Sequence, residues 1–348
     1  MNVRRLIPTA AVAGAVTLGL VTLSACGGTS GAAGKSADGK LSVVASFYPM
    51  QYLAEQIGGD HVSVSTLTAP GVEPHDLELK PRQIGELGDA DYILYLKGIQ
   101  PAVDEAIKQA GVKNTVDAAT LTTLEDHGTA VGHDHGHGAE EPGHEGESPE
   151  EHAEHGHEEG HEEGHEEGHG HESEAGLDPH IWLDPVKYAE VAKGVGASLE
   201  KADPDNAADY KKNTDVLVKK LGDLDTAFKD GLKNTSTKTF ITTHSAFGYL
   251  AERYGLDQEG ISGLDPESEP SPARMKELQE IAAKDKVSTV FFETLASDKT
   301  AKTLAKDTGL KTDVLDPLEG ITDKSQGDDY IEVMQSNLAA LKKALGAK

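Results

Sequence analysis

The chain has 348 residues, with 60 Asp and Glu against 32 Lys and Arg, for a formal charge of −28. So acidic a surface argues against sequence-independent nucleic-acid binding, which rests on Lys and Arg at phosphates, and makes cations the natural partners. With 37% apolar residues and one cysteine, the chain can bury two medium-sized cores but can form no internal disulfide.

At the N-terminus, Arg4 and Arg5 precede an Ala-rich apolar run that ends in Leu23-Ser24-Ala25-Cys26. The pattern predicts an export signal over residues 1–25, with Cys26 lipidated as the first mature residue. Residues 26–40 are rich in Gly, Ser and Ala and read as a flexible tether. The expected location is extracytoplasmic, lipid-anchored to the outer face of a bacterial cell membrane.

Short apolar runs then alternate with helical patterns. Strands are expected over 41–47, 62–68, 92–97 and 115–118, with helices over 49–57, from Pro81 to Leu87, and over 102–110. Strand, helix, strand at this spacing predicts right-handed βαβ units on a parallel sheet, so residues 41–126 read as an N-terminal α/β lobe.

Residues 127–175 break that pattern. From His133 to Glu174 there are sixteen Asp and Glu and no Lys or Arg, leaving −12 of formal charge for the rest of the chain. The stretch has too few aliphatic residues to offset the entropy of ordering, so a mobile acidic insert is expected. Its imidazoles, among them His133, His135, His137, His157, His161, His165, His169 and His171, suit zinc, copper, nickel or iron as low-affinity ligands.

Residues 176–203 complete the first lobe and lead into helical sequence. Asp203 and Pro204 read as an N-cap and first-turn proline opening a long helix over 204–234. Tyr210, Leu217, Leu221, Leu224, Phe228 and Leu232 form one apolar stripe on it, a fit for a rigid helix joining two lobes. Residues 235–348 then repeat the first lobe's grammar. Strands are expected over 238–243, 289–293 and 312–315, and helices over 246–254, 272–283, 298–307 and 328–345. The predicted fold class is α/β, two lobes of parallel β-sheet flanked by helices and joined by one long helix, with a metal site in the cleft between them.

Outside the insert four histidines remain. His61 sits in a Gly-Gly-Asp turn and reads as a surface residue. His75 lies in Glu73-Pro74-His75-Asp76 beyond a strand, His180 in Asp178-Pro179-His180-Ile181-Trp182, and His244 directly after a strand. Each of these three occupies a strand end or turn, where a parallel sheet presents its ligand-binding edge. Joint metal ligation by His75, His180 and His244 is the expectation. A fourth ligand would come from Leu315-Asp316-Pro317-Leu318-Glu319, which offers Asp316 and Glu319.

At these residues the chain resembles the metal-binding lipoproteins of bacterial ABC importers, specifically the zinc-uptake branch of the zinc/manganese-binding (cluster A-I) group. The likeness runs from about Leu41 to the C-terminus. It rests on Pro74-His75-Asp76, the Asp178–Leu183 stretch, Thr243 to Tyr249, Tyr254-Gly255-Leu256, Phe291-Phe292-Glu293 and Asp316 to Glu319. The resemblance implies His75, His180 and His244 as ligands and Glu319 as the fourth, with Asp316 or water as alternatives and Glu293 supporting from behind. It also implies Zn2+ rather than Mn2+ as cargo, a membrane permease and its ATPase as partners, a monomer, and no enzymatic activity. Rival readings are manganese or iron uptake, a surface adhesin or zinc store, and a zinc hydrolase with Glu293 as general base. Four protein ligands leave no coordination position for an activated water, which weighs against the hydrolase.

Overall fold

The computed structural model describes residues 39–127 and 177–348. The export signal, Cys26 and the eight insert histidines named above lie outside the described residues. In the first lobe the order is β1 (Leu41–Ala45), α1 (Tyr48–Gly58), β2 (Val62–Thr66), α2 (Pro81–Asp89), β3 (Tyr92–Tyr95), α3 (Pro101–Ala110) and β4 (Thr115–Asp117). The four strands form one parallel sheet in the order β2-β1-β3-β4. Proline in the first turn of α1, α2 and α3 starts each helix, its fixed φ being suited to a position whose N–H has no helical partner. Central strand β1 is covered on both faces. Leu41, Val43 and Ala45 enter the main core on one side, while Val44 packs with Leu67, Leu87 and Ile93 on the other.

The second lobe repeats the plan with β5 (Thr239–Thr242), α6 (Gly248–Tyr254), β6 (Asp257–Gly260), α7 (Pro272–Lys284), β7 (Thr289–Phe292), α8 (Lys299–Thr308), β8 (Lys311–Val314) and α9 (Tyr330–Ala344). Its sheet is again parallel, ordered β6-β5-β7-β8. Strand β6 was not foreseen. Asp257, Gln258 and Glu259 show no apolar alternation, because β6 is an edge strand that, among the described residues, pairs only with β5. Ser271 and Asp329 cap α7 and α9, their side chains accepting from the backbone N–H groups of Arg274 and Glu332.

Between the lobes run two helices, α4 (Pro185–Ala202) and α5 (Ala207–Leu232). The long helix starts later than expected. Pro204–Asn206 form a single 3₁₀ turn, and the Asp203 carboxylate accepts from Tyr210 Oη and Asn206 Nδ2 instead of capping the helix. At Gly196, α4 approaches α5 so closely that a Cβ there would lie 2.2 Å from Thr214 Oγ1. Helix α5 touches both lobes: Asn213 donates to the Ile57 carbonyl, Phe228 stacks on Tyr254, and Gly231 faces Leu338 of α9. One apolar cluster therefore continues from Leu53 and Tyr188 through Leu217 and Phe228 to Leu250 and Leu341.

The two ends of the insert meet in a short antiparallel bridge between Glu125 and Asp178, where Asp178 N donates to the Glu125 carbonyl. Tyr249 locks this neck, its hydroxyl accepting from Glu125 N and donating to the Asp178 carbonyl. His127, read from sequence as the first residue of the insert, is held in the same neck. Its ring lies edge-on to Tyr249, with centroids 4.2 Å apart.

Candidate metal centre

Three loops at the C-terminal ends of strands converge with the segment that follows the insert's neck. His75 comes from the loop after β2, His244 from the turn after β5 and Glu319 from the turn after β8. His180 follows the neck and stands just before the 3₁₀ turn Ile181–Leu183. His180, His244 and Glu319 are essentially fully buried, and the His75 side chain nearly so. Glu319 Oε1 lies 3.5 Å from His75 Nε2, 3.5 Å from His180 Nε2 and 3.3 Å from His244 Nε2. Four donors bound to one zinc at about 2.0–2.2 Å would stand at about such separations.

The Nε2 atoms of all three histidines and both oxygens of Glu319 are buried without a hydrogen-bond partner. Leaving one such atom unpaired costs about 1–3 kcal/mol, so Glu319 Oε1 and the three Nε2 atoms, which stand 3.3–3.5 Å from it, call for a common occupant. A cation satisfies these four, and three nitrogens with one oxygen suit zinc.

The partners behind these atoms fix which nitrogen faces inward. His180 Nδ1 lies 2.8 Å from Asp178 Oδ1, and His244 Nδ1 lies 2.7 Å from Glu293 Oε1, to which Thr243 Oγ1 also donates. An ionised carboxylate only accepts, so each Nδ1 carries the proton and each Nε2 presents a lone pair to the centre. Glu73 and Asp178 also accept from the backbone N–H of His75 and His180, at 3.0 and 2.9 Å. The acidic-Pro-His pattern thus occurs twice with the same local geometry, a repeat visible in the sequence but not used there as a signal.

Glu319, and not Asp316, is the carboxylate brought to the imidazoles. Asp316 is committed locally: Oδ1 accepts from Leu318 N at 2.8 Å and Oδ2 from Thr294 Oγ1 at 3.0 Å. That first bond braces Leu318 in a left-handed conformation with φ of 59°, which turns the next residue, Glu319, inward. Asn337 of α9 clamps the same turn through the backbone of Asp316, and Trp182 Nε1 donates to the Pro317 carbonyl. His61 is elsewhere, paired with Asp209 at 2.8 Å.

The electrostatics follow from burial and proximity. Burial opposes charge on His244, but Glu293 and Glu319 outweigh it and hold the imidazole well above its usual range. His180 is likewise raised, with burial overcome by Asp178 and Glu319. Glu319 is held well below the carboxylate range, since His244, His180 and His75 together overcome its burial. Glu73, which sequence reasoning passed over, is pushed up to about 8 by burial and by the charge of Glu319. Burial also raises Asp316 to about 6.

A family model described as ZnuA, zinc-uptake complex component A periplasmic, matches residues 43–344. Zinc-binding lipoprotein AdcA of Streptococcus pneumoniae is 37% identical over 314 residues, covering 88% of this chain and 56% of that protein. The chain thus spans little more than half the length of the streptococcal relatives it matches. High-affinity zinc uptake system protein ZnuA of Bacillus subtilis is 39% identical over 331 residues, 94% of both chains. Among solved structures, the Zn(II)-bound ZnuA-like domain of S. pneumoniae AdcA superposes with a TM-score of 0.67 at 33% identity, over 88% of this chain and 99% of that one. The paired parallel sheets, the converging histidines and a family match over most of the chain lead to one conclusion: this chain belongs to the ZnuA family of periplasmic zinc-uptake components.

Proposed function

We propose that the chain is the extracytoplasmic solute-binding component of an ABC importer, capturing Zn2+ and delivering it to a membrane permease driven by its ATPase. His75, His180, His244 and Glu319 are the ligands, with Asp178 and Glu293 orienting two of the rings. The observation that carries this reading is the set of four buried, unpartnered donor atoms, three Nε2 and Glu319 Oε1, gathered within a few ångströms of one another. All four positions are filled by protein, so the ion has no open place for a water nucleophile; the site binds and releases but does not catalyse. The export signal and Cys26 would anchor a monomer at the outer face of the membrane, where the insert's histidines gather cations weakly around the cleft.

The test is competitive zinc titration against a chelator of known affinity, comparing the full chain with His244→Ala and with a chain lacking residues 128–176. Tight binding is expected to survive the deletion and to be lost in His244→Ala. Loss of tight binding with the deleted segment would overturn the assignment of the buried centre.

A further inference from the structure

Among the described residues a second group of metal-ligating side chains stands at the neck of the insert. His127 Nε2 lies 2.8 Å from Glu252 Oε2 and 3.8 Å from Glu125 Oε2, and one donor atom from each of the three lies within 4.8 Å of the others. A zinc ion bound at about 2.0–2.2 Å holds neighbouring donors about 3.2–3.6 Å apart, a range these two distances bracket. His127 Nδ1 in turn lies 2.8 Å from Asp178 Oδ2. That backing is the one found at His180 and His244, where a carboxylate on Nδ1 leaves Nε2 to face the ion. Asp178 therefore serves both rings, His180 through Oδ1 and His127 through Oδ2.

The neck is organised before any ion arrives. Glu125 and Asp178 are bridged, Tyr249 ties both through its hydroxyl, and the His127 ring packs on Tyr249. Lys187 Nζ donates to Glu125 Oε1 at 2.6 Å, which fixes that carboxylate and leaves Oε2 turned toward His127. Beside the group is a cavity of about 230 Å³ lined by Glu125, Asp184, Lys187, Tyr249, Glu252 and Arg253. Glu252 is 62% exposed, so solvent reaches this place, unlike the buried centre.

We propose that Glu125, His127 and Glu252 form a second, solvent-open zinc site at the root of the histidine-rich insert, sharing Asp178 with the buried centre. Three protein donors leave one position for water or an incoming ligand, so the ion exchanges quickly. Without the ion, a proton on His127 Nε2 serves the contact to Glu252. Coordination forms the nitrogen–zinc bond and releases that proton to solvent. In the chain the site adjoins residues 128–176, which carry eleven histidines, so an ion gathered there meets this group next to Asp178 and His180. Zinc on His127 strengthens its N–H donation to Asp178 and draws density from that carboxylate. The expected coupling to the buried centre is weak and negative, with each ion lowering the other's affinity less than about tenfold.

The test uses the full chain labelled with 15N at histidine, titrated with zinc and followed by long-range ¹H–15N spectra of the imidazoles. His180 and His244 signals report the buried centre, and the His127 signal, assigned through His127→Gln, reports the neck. At zinc beyond the first equivalent, His127 Nε2 is expected to take a metal-bound shift. In Glu252→Gln, a shape-conserving change at an exposed side chain, the zinc needed for half of that shift rises at least about tenfold, with His180 and His244 unchanged. An unmoved His127 signal while His180 and His244 respond would overturn the neck site and leave the buried centre standing. Silence at His180 and His244 would instead count against the transport reading. Anomalous diffraction at the zinc edge gives a second readout: a peak bonded to His127 Nε2 is expected, and its absence beside a filled buried centre would overturn the proposal.

Discussion

His180 and His244 are oriented by the same device, a buried carboxylate on Nδ1, and that device can be weakened without removing either imidazole. Glu293→Gln keeps the shape but loses the charge that holds the His244 proton, so zinc affinity is expected to fall about 10–100-fold in a chelator competition, with the fold retained by circular dichroism. His180→Ala removes a proposed ligand, and affinity should fall further than that range. Protons compete with the ion for the same nitrogens. In the metal-free protein His180 and His244 are raised, so their folded values lie above the unfolded imidazole near 6.5. Their charged forms therefore stabilise the metal-free fold fully below that unfolded value, and this contribution is lost as pH rises through the folded values. Zinc needs them neutral. The rise in Tm on adding zinc should thus be large at about pH 8 and shrink steadily toward about pH 5.5, as read by thermal unfolding with and without the metal.

Helices α4 and α5 meet at a glycine whose missing side chain sets their distance. Gly196→Ala would drive a Cβ into Thr214, and the helices would have to part; a loss of about 1–3 kcal/mol is expected from chemical denaturation. Zinc affinity should stay within about twofold of wild type, because no ligand or supporting carboxylate lies on that contact. The turn at Leu318 is the opposite case, in which local backbone controls chemistry. Asp316→Ala removes the acceptor that braces the left-handed residue before Glu319, so it is expected to weaken zinc binding although Asp316 does not face the ion.

The two lobes are joined through a continuous apolar cluster that includes residues of α1, α4, α5, α6 and α9, and a core of that kind resists wide hinge bending. Loading with zinc is therefore expected to change the radius of gyration by less than about 1 Å, as measured by X-ray scattering on the metal-free and zinc-bound protein. A change several times larger would mean that the shared core opens.

Much of this was legible along the chain, for identifiable reasons. Apolar strands such as Leu41–Ala45 and Thr289–Phe292 are buried on both faces and so stand out as continuous runs, whereas the polar edge strand Asp257–Gly260 carries no such mark. His75 and His244 could be singled out because loops after strands in parallel sheets gather at one edge, wherever their residues fall in sequence, and His180 because it stands in a proline-bounded turn. The choice between Asp316 and Glu319 was open at that level, since both follow the same strand three residues apart. Which of the two stands beside the imidazoles depends on hydrogen bonds to Leu318 and Thr294, and on a left-handed backbone, that exist only once α9 and β7 are in place. The meeting of His127 with Glu252, which are 125 residues apart, is of the same kind. Composition and periodicity report what each segment buries. Which carboxylate faces which imidazole depends on contacts between segments distant in sequence, and those come into being with the packed fold.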